Sequence, residues 1–187
     1  MGNKGVDIMA KLNGVEIKAL KQFVGHDGEC SQGNVYIDGK KAGFWSQDAW
    51  GGPDSYDGGF EKSLAERAKM MQAGTPRSSK FYDIMNDSDV FMGALLTLLL
   101  DEKEYKKVKK AGFGTMLLVT DGYHVNGMAY KGALTLADIE QKHPGTIERL
   151  SKGMFENKKP VIRLYSSSED FNVRVDANHP APEWIYM

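Results

Sequence analysis

From residue 8 to residue 47 the chain runs in short apolar and polar alternations broken by two dipeptides. The runs "IMAKL" and "VEIKALKQFV" flank Asn13-Gly14, and "NVYI" and "KKAGFW" flank Asp38-Gly39. Asn-Gly and Asp-Gly readily take the positive φ angles of a two-residue hairpin turn, so the pattern predicts an antiparallel meander over residues 8–47. The period then lengthens. Phe60, Leu64, Ala68 and Met71 recur at spacings of 4, 4 and 3, a helical stripe over 60–72 that Gly74-Thr75-Pro76 ends. Asp57 or a neighbour is placed to cap that helix. Residues 80–85 predict a short helical segment. A long helix follows over 88–111, with Asp87 or Ser88 as its cap and Gly112 beyond a lysine-rich last turn.

The last third mixes periods. "TMLLVT" (115–120) reads as a buried strand, and "DGYHVNGMAY" returns through a turn at Asp121-Gly122 or Asn126-Gly127. Thr135 heads a short helix in "TLADIEQKH", and "TIERLSKGMF" predicts another. "PVIRLYS" and "FNVRVD" alternate as a closing strand pair, ahead of an irregular tail. Strands, then helices, then mixed elements make the fold class α+β. The expected layout is an N-terminal antiparallel β-meander, central helices including one long helix, and C-terminal mixed strands and short helices. It forms a single domain over 1–187, with residue 112 as the place for any subdivision.

Composition narrows the function classes. The chain of 187 residues is 41% hydrophobic, enough to build a core. Its 24 basic and 25 acidic residues leave a net charge of -1, which argues against a dedicated nucleic-acid binder but not against a local basic patch. Cys30 is the only cysteine, so a disulfide within the chain and a cysteine-based zinc site are both excluded. A reducing, cytoplasmic compartment is the expectation. The longest apolar run, residues 90–100, falls short of the ~20 residues that span a bilayer, and no membrane association is expected. The first thirty residues carry no long apolar run of the secretory kind.

Two stretches carry candidate binding chemistry. "SQDAWGGPDSYDGGF" (46–60) reads as a turn before a helix, as a partner-binding loop or as a metal loop. Calcium loops need carboxylates at alternate positions, and Asp54, Asp57 and Gly58 give D-x-x-D-G, so no metal is assigned. As a contact surface the region would present Trp45, Asp48, Trp50, Asp54, Tyr56 and Asp57, with Trp50 and Tyr56 as aromatic anchors. On the long helix Lys103, Lys106, Lys107 and Lys110 fall on one face. That face is either solvated or a footprint for nucleic acid, diluted by Glu102 at pairing distance from Lys106. Asp101-Glu102-Lys103 matches half of a metal-nuclease motif, but residues two apart on a helix point away from each other. His26, His124, His143 and His179 are scattered outside metal-binding spacings, and no nucleophile elbow or phosphate loop occurs. No catalytic residue and no cofactor is assigned.

The segment "VYIDGKKAGFWSQDAWGGPDSYDGG" (35–59) resembles accessory proteins from phages and mobile elements of gut bacteria, among them anti-CRISPR proteins that block Cas9-type nucleases. The likeness covers the first sixty residues and carries over no functional residues. It implies a non-enzymatic binding protein that occludes a CRISPR nuclease by protein–protein contact, with nucleic-acid contact through the lysine face. The alternatives are a nucleic-acid-binding module built on Lys103, Lys106, Lys107 and Lys110, and a hydrolase centred on His26 and Cys30 or on the loop carboxylates.

Overall fold

The computed structural model describes residues 10–26, 28–49, 52–155 and 159–186. The fold is α+β, and the chain divides into two compact units: Met1–Leu99 with Asn172–Ala181, and Leu100–Phe171 with Pro182–Met187. Among the described residues no helix is long and apolar enough to cross a membrane.

The first unit is built on a sheet of six strands: β1 (Lys11–Leu12), β2 (Val15–Gly25), β3 (Gly28–Ile37), β4 (Lys40–Gln47), β5 (Ser55–Asp57) and β9 (Asn172–Val173). Their order is β5-β4-β3-β2-β1-β9, antiparallel except for the β1–β9 pair. Both predicted hairpin turns are present. Asn13 and Gly14 take φ of 48° and 78°, and Asp38 and Gly39 take 49° and 79°, as a turn matching the right-handed strand twist requires. A bulge interrupts β2, where the register passes from Lys18↔Asn34 to Lys21↔Gln32. Gly33 faces this bulge, and a Cβ there would lie 2.5 Å from Ile17 Cγ2. Only glycine lets the strands close at that point.

Helix α1 (Glu61–Ala73) buries Leu64, Ala68 and Met71, the predicted stripe. Its N-cap is Phe60, without a side-chain cap bond, and Asp57 lies instead in β5 opposite Phe44. The cap expected of Asp57 is therefore corrected: strand pairing holds that residue's backbone three positions too early. Residues Tyr82–Ile84 form a 3-10 turn before α2 (Ser88–Lys110). The Asp89 N–H donates to Asp87 Oδ1 at 2.7 Å, which caps α2. At the far end Gly112 takes φ 85°, and the Phe113 N–H reaches the Val108 carbonyl at 3.1 Å, a glycine-terminated C-cap.

The second unit carries a three-stranded antiparallel sheet, β6 (Thr115–Thr120), β7 (Val125–Tyr130) and β8 (Val161–Tyr165), in the order β7-β6-β8. Helices α3 (Leu136–Lys142) and α4 (Thr146–Ser151) complete a core around Leu117, Tyr130 and Ile139. Thr135 and Asp138 form a reciprocal capping box at α3. The predicted closing pair of strands does not form. β8 pairs with β6, whereas β9 runs parallel to β1 in the other sheet. Asn13 recruits that tail segment: its N–H donates to the Val173 carbonyl at 3.0 Å, and its Oδ1 accepts the Val175 N–H at 2.7 Å.

Candidate functional site

Two polar side chains of the 46–60 region, Asp54 and Tyr56, turn inward. Trp45 is fully buried, and its indole N–H donates to Asp54 Oδ2 at 2.6 Å. The Asp54 N–H donates to Asp89 Oδ2 at 3.0 Å, and the Tyr56 hydroxyl donates to Asp89 Oδ1 at 2.6 Å. The Tyr56 ring meets Phe60 edge-on at 5.8 Å. These bonds tie the returning chain to the first turn of α2. Burial pushes the Asp54 carboxyl up, and the nearby charges of Asp89 and Asp87 add to that against the Trp45 bond. Burial and the bond to Asp89 push the Tyr56 hydroxyl up as well. As a contact surface, the region thus loses Trp45 outright and has Asp54 and Tyr56 engaged internally. Asp48 and Asp57 are exposed. Trp50 lies outside the described residues. Among those residues no group of three potential ligands could hold a metal ion.

Lys103, Lys106, Lys107 and Lys110 are all exposed on α2, as their spacing implies. Two of them are already engaged: Lys106 lies 3.0 Å from the buried Glu102 carboxylate, and Lys107 lies 2.6 Å from Glu104. Each pair sets a carboxylate against the lysine charge and so lowers the positive field of that face.

The more distinctive arrangement lies between β6 and β7. The Asp121 side chain is fully buried, and its carboxylate gathers three backbone N–H groups. Oδ1 accepts from Tyr123 at 2.9 Å and His124 at 2.8 Å, and Oδ2 accepts from Phe155 at 2.9 Å. The His124 ring adds Nδ1 at 3.0 Å from Oδ2. This one anion fixes three aromatic residues whose rings point to solvent. Tyr123 is 73% exposed and Phe155 48%. The Tyr123 and Phe155 rings meet edge-on at 5.6 Å, and His124 stands 5.3 Å from Phe155. Phe155 also borders an open hollow lined in part by Arg149, Lys152 and Pro160, so the ring is approachable from the α4 side.

Burial pushes the Asp121 carboxyl up, but the His124 and Phe155 N–H groups, the imidazole and the Tyr123 N–H outweigh it. They hold the group well below the usual carboxylate range. A folded-state pKa below the unfolded one means that the stabilisation is present above about pH 4 and is lost as pH falls through the folded value. Asp121→Asn is accordingly expected to lower the melting temperature at neutral pH and to flatten its fall on acidification. Thermal melts between about pH 3 and pH 7 check this. A variant curve parallel to the parent's would show that Asp121 does not carry the effect.

Sequence reasoning missed this platform. Its signal is a D-x-x-H spacing that occurs twice, in "DGYH" (121–124) and "DANH" (176–179). In the second copy Asp176 likewise accepts the N–H groups of Asn178 and His179 and faces the His179 ring at 2.7 Å. The histidine is the shared local element; the exposed aromatic pair belongs to the first copy. No family model, curated protein or solved structure matches this chain.

Proposed function

We propose that this chain is a non-enzymatic binding protein whose contact surface is the platform of Tyr123, His124 and Phe155. One observation carries the reading: three solvent-exposed rings stand against one another on backbone that a single buried carboxylate holds. Large aromatics held ready in this way lose little conformational freedom on binding and supply the anchors that dominate many interfaces. His124 has its Nδ1 oriented by Asp121, but among the described residues no nucleophile is hydrogen-bonded to the ring. The arrangement therefore favours recognition over hydrolysis.

The resemblance of residues 35–59 to accessory proteins of mobile elements makes a Cas9-type nuclease the first partner to test. The platform takes the place of the 46–60 region as the contact surface. The experiment measures binding of such a nuclease to the parent chain and to Tyr123→Ala/Phe155→Ala. A loss of about tenfold or more in affinity is expected for the double variant, with an unchanged melting temperature. Neither side chain is needed for the bonds to Asp121, which come from backbone N–H groups. Unchanged affinity would retire the platform, and a parent chain that fails to bind would retire the nuclease.

A further inference from the structure

We infer that β7 is a self-pairing edge, through which two copies of this chain join antiparallel about a two-fold axis at Gly127. β7 pairs with β6 on its inner side, and among the described residues no backbone hydrogen bond from another element reaches its outer side. An unpaired edge is a template for a further strand, and proteins blunt such edges by shortness, charge, proline or a covering element. The other sheet edges are blunted in these ways. β5 has three residues and β9 has two, and the 3-10 helix Glu183–Tyr186 packs against β8. Helix α4 touches β6 as well as β7 and so lies on the face of the sheet, where Asn126 Nδ2 donates to the Leu150 carbonyl. β7 has six residues, "VNGMAY", with no charge and no proline. Val125 is 56% exposed and Met128 43%, so the edge leaves apolar side chains in water as well as free backbone groups.

The pattern of these six residues selects a second copy as the occupant. In a two-fold antiparallel ladder, opposed residues share a face. Centring on Gly127 sets that glycine against its own image, Asn126 against the second copy's Met128, and Val125 against the second copy's Ala129. Each larger side chain meets a smaller or flexible one, and no like charges are opposed. His124 and Lys131, just beyond the ends, avoid their own images, which a parallel in-register pairing would force together. A six-residue ladder alone buries less than the ~1,200 Å² at the low end of stable interfaces. The association is therefore weak and concentration-dependent. It does not rest on the platform, because the ladder uses β7 and the platform uses the residues that Asp121 binds.

Sedimentation equilibrium of the full chain over a wide concentration series tests the inference. The expected result is an average mass rising from one copy towards two. Val125→Lys should raise the dissociation constant about tenfold or more while leaving the melting temperature unchanged. Val125→Cys with Ala129→Cys, in a Cys30→Ser background, should cross-link two copies under oxidation, and either cysteine alone should not. A single-copy mass throughout would overturn the inference. So would association that Val125→Lys leaves intact, or a cross-link formed equally by one cysteine. Tyr123→Ala/Phe155→Ala should leave the sedimentation unchanged, which separates failure of the dimer from failure of the platform.

Discussion

Replacing Asp101 by alanine is expected to remove about 3–5 kcal/mol of stability, the cost of leaving a buried charge without its partner. Asp101, Arg163 and Tyr165 are all buried in the second unit. Arg163 Nε lies 2.9 Å from Asp101 Oδ2, and the Tyr165 hydroxyl donates to the same oxygen at 2.7 Å. The Nε–H makes no well-aligned hydrogen bond, so the Arg163 contact is chiefly the attraction of opposite charges. Burial pushes the Asp101 carboxyl up, and Arg163 and Tyr165 recover only part of that. The sign is opposite to that at Asp121: this group's contribution is largest below about pH 4 and falls as pH rises through the raised value. Asp101→Ala strands the guanidinium in a site it cannot leave, and the phenol loses its acceptor. The paired replacement Asp101→Leu/Arg163→Met removes both charges and is expected to recover most of the lost stability, short of the parent by the cost of the Tyr165 hydroxyl left without an acceptor. Urea denaturation of the parent, Asp101→Leu, Arg163→Met and the double closes the cycle. A single variant within about 1 kcal/mol of the parent would mean that the pair is solvated after all.

Such a pair illustrates what the sequence could and could not disclose. Features set by neighbours along the chain were legible. The Asn13-Gly14 and Asp38-Gly39 turns, the stripe from Phe60 to Met71, the Asp87 cap and the Gly112 terminus all depend on residues within a few positions of one another, and all are present. Features set by distant partners were not. Alternation in residues 160–176 showed strands but not that one would join β6 and the other β1, because period two reports a face and not a neighbour. Asp101 read only as part of half a nuclease motif that helix geometry set aside, and its burial beside Arg163 and Tyr165 was not legible because helical spacing cannot show a sheet packed against it. The aromatic platform was hidden for the same reason, since Asp121 reaches Phe155 across 34 positions. Tyr56 read as an exposed anchor on composition alone, and its hydroxyl is bound by Asp89, 33 positions further on; Trp45, read as part of the contact surface, is fully buried.

Trp45→Ala is the other substitution expected to act strongly, and it decides what the 46–60 region does. Truncating a fully buried tryptophan costs about 3–5 kcal/mol through lost burial and the cavity left behind. Here the Asp54 carboxylate also loses its indole donor while remaining half-buried, which adds to the loss. Trp45→Phe keeps much of the volume and removes the bond, so it should fall between parent and alanine variant. Tyr56→Phe removes only the hydroxyl bond to Asp89 and is expected to cost about 1.5–3 kcal/mol, as for hydrogen bonds to charged groups. The backbone gives an independent check at Gly43, where an added Cβ would strike the Asp57 carbonyl and crowd Phe60. Gly43→Ala should therefore destabilise the same corner without removing any side-chain hydrogen bond. If the region is a tether to α2, all four variants lower the denaturation midpoint, and partner binding falls only as far as the unfolded fraction requires. A Trp45→Ala chain with the parent's midpoint and no partner binding would instead restore this region as the contact surface and displace the aromatic platform from that role.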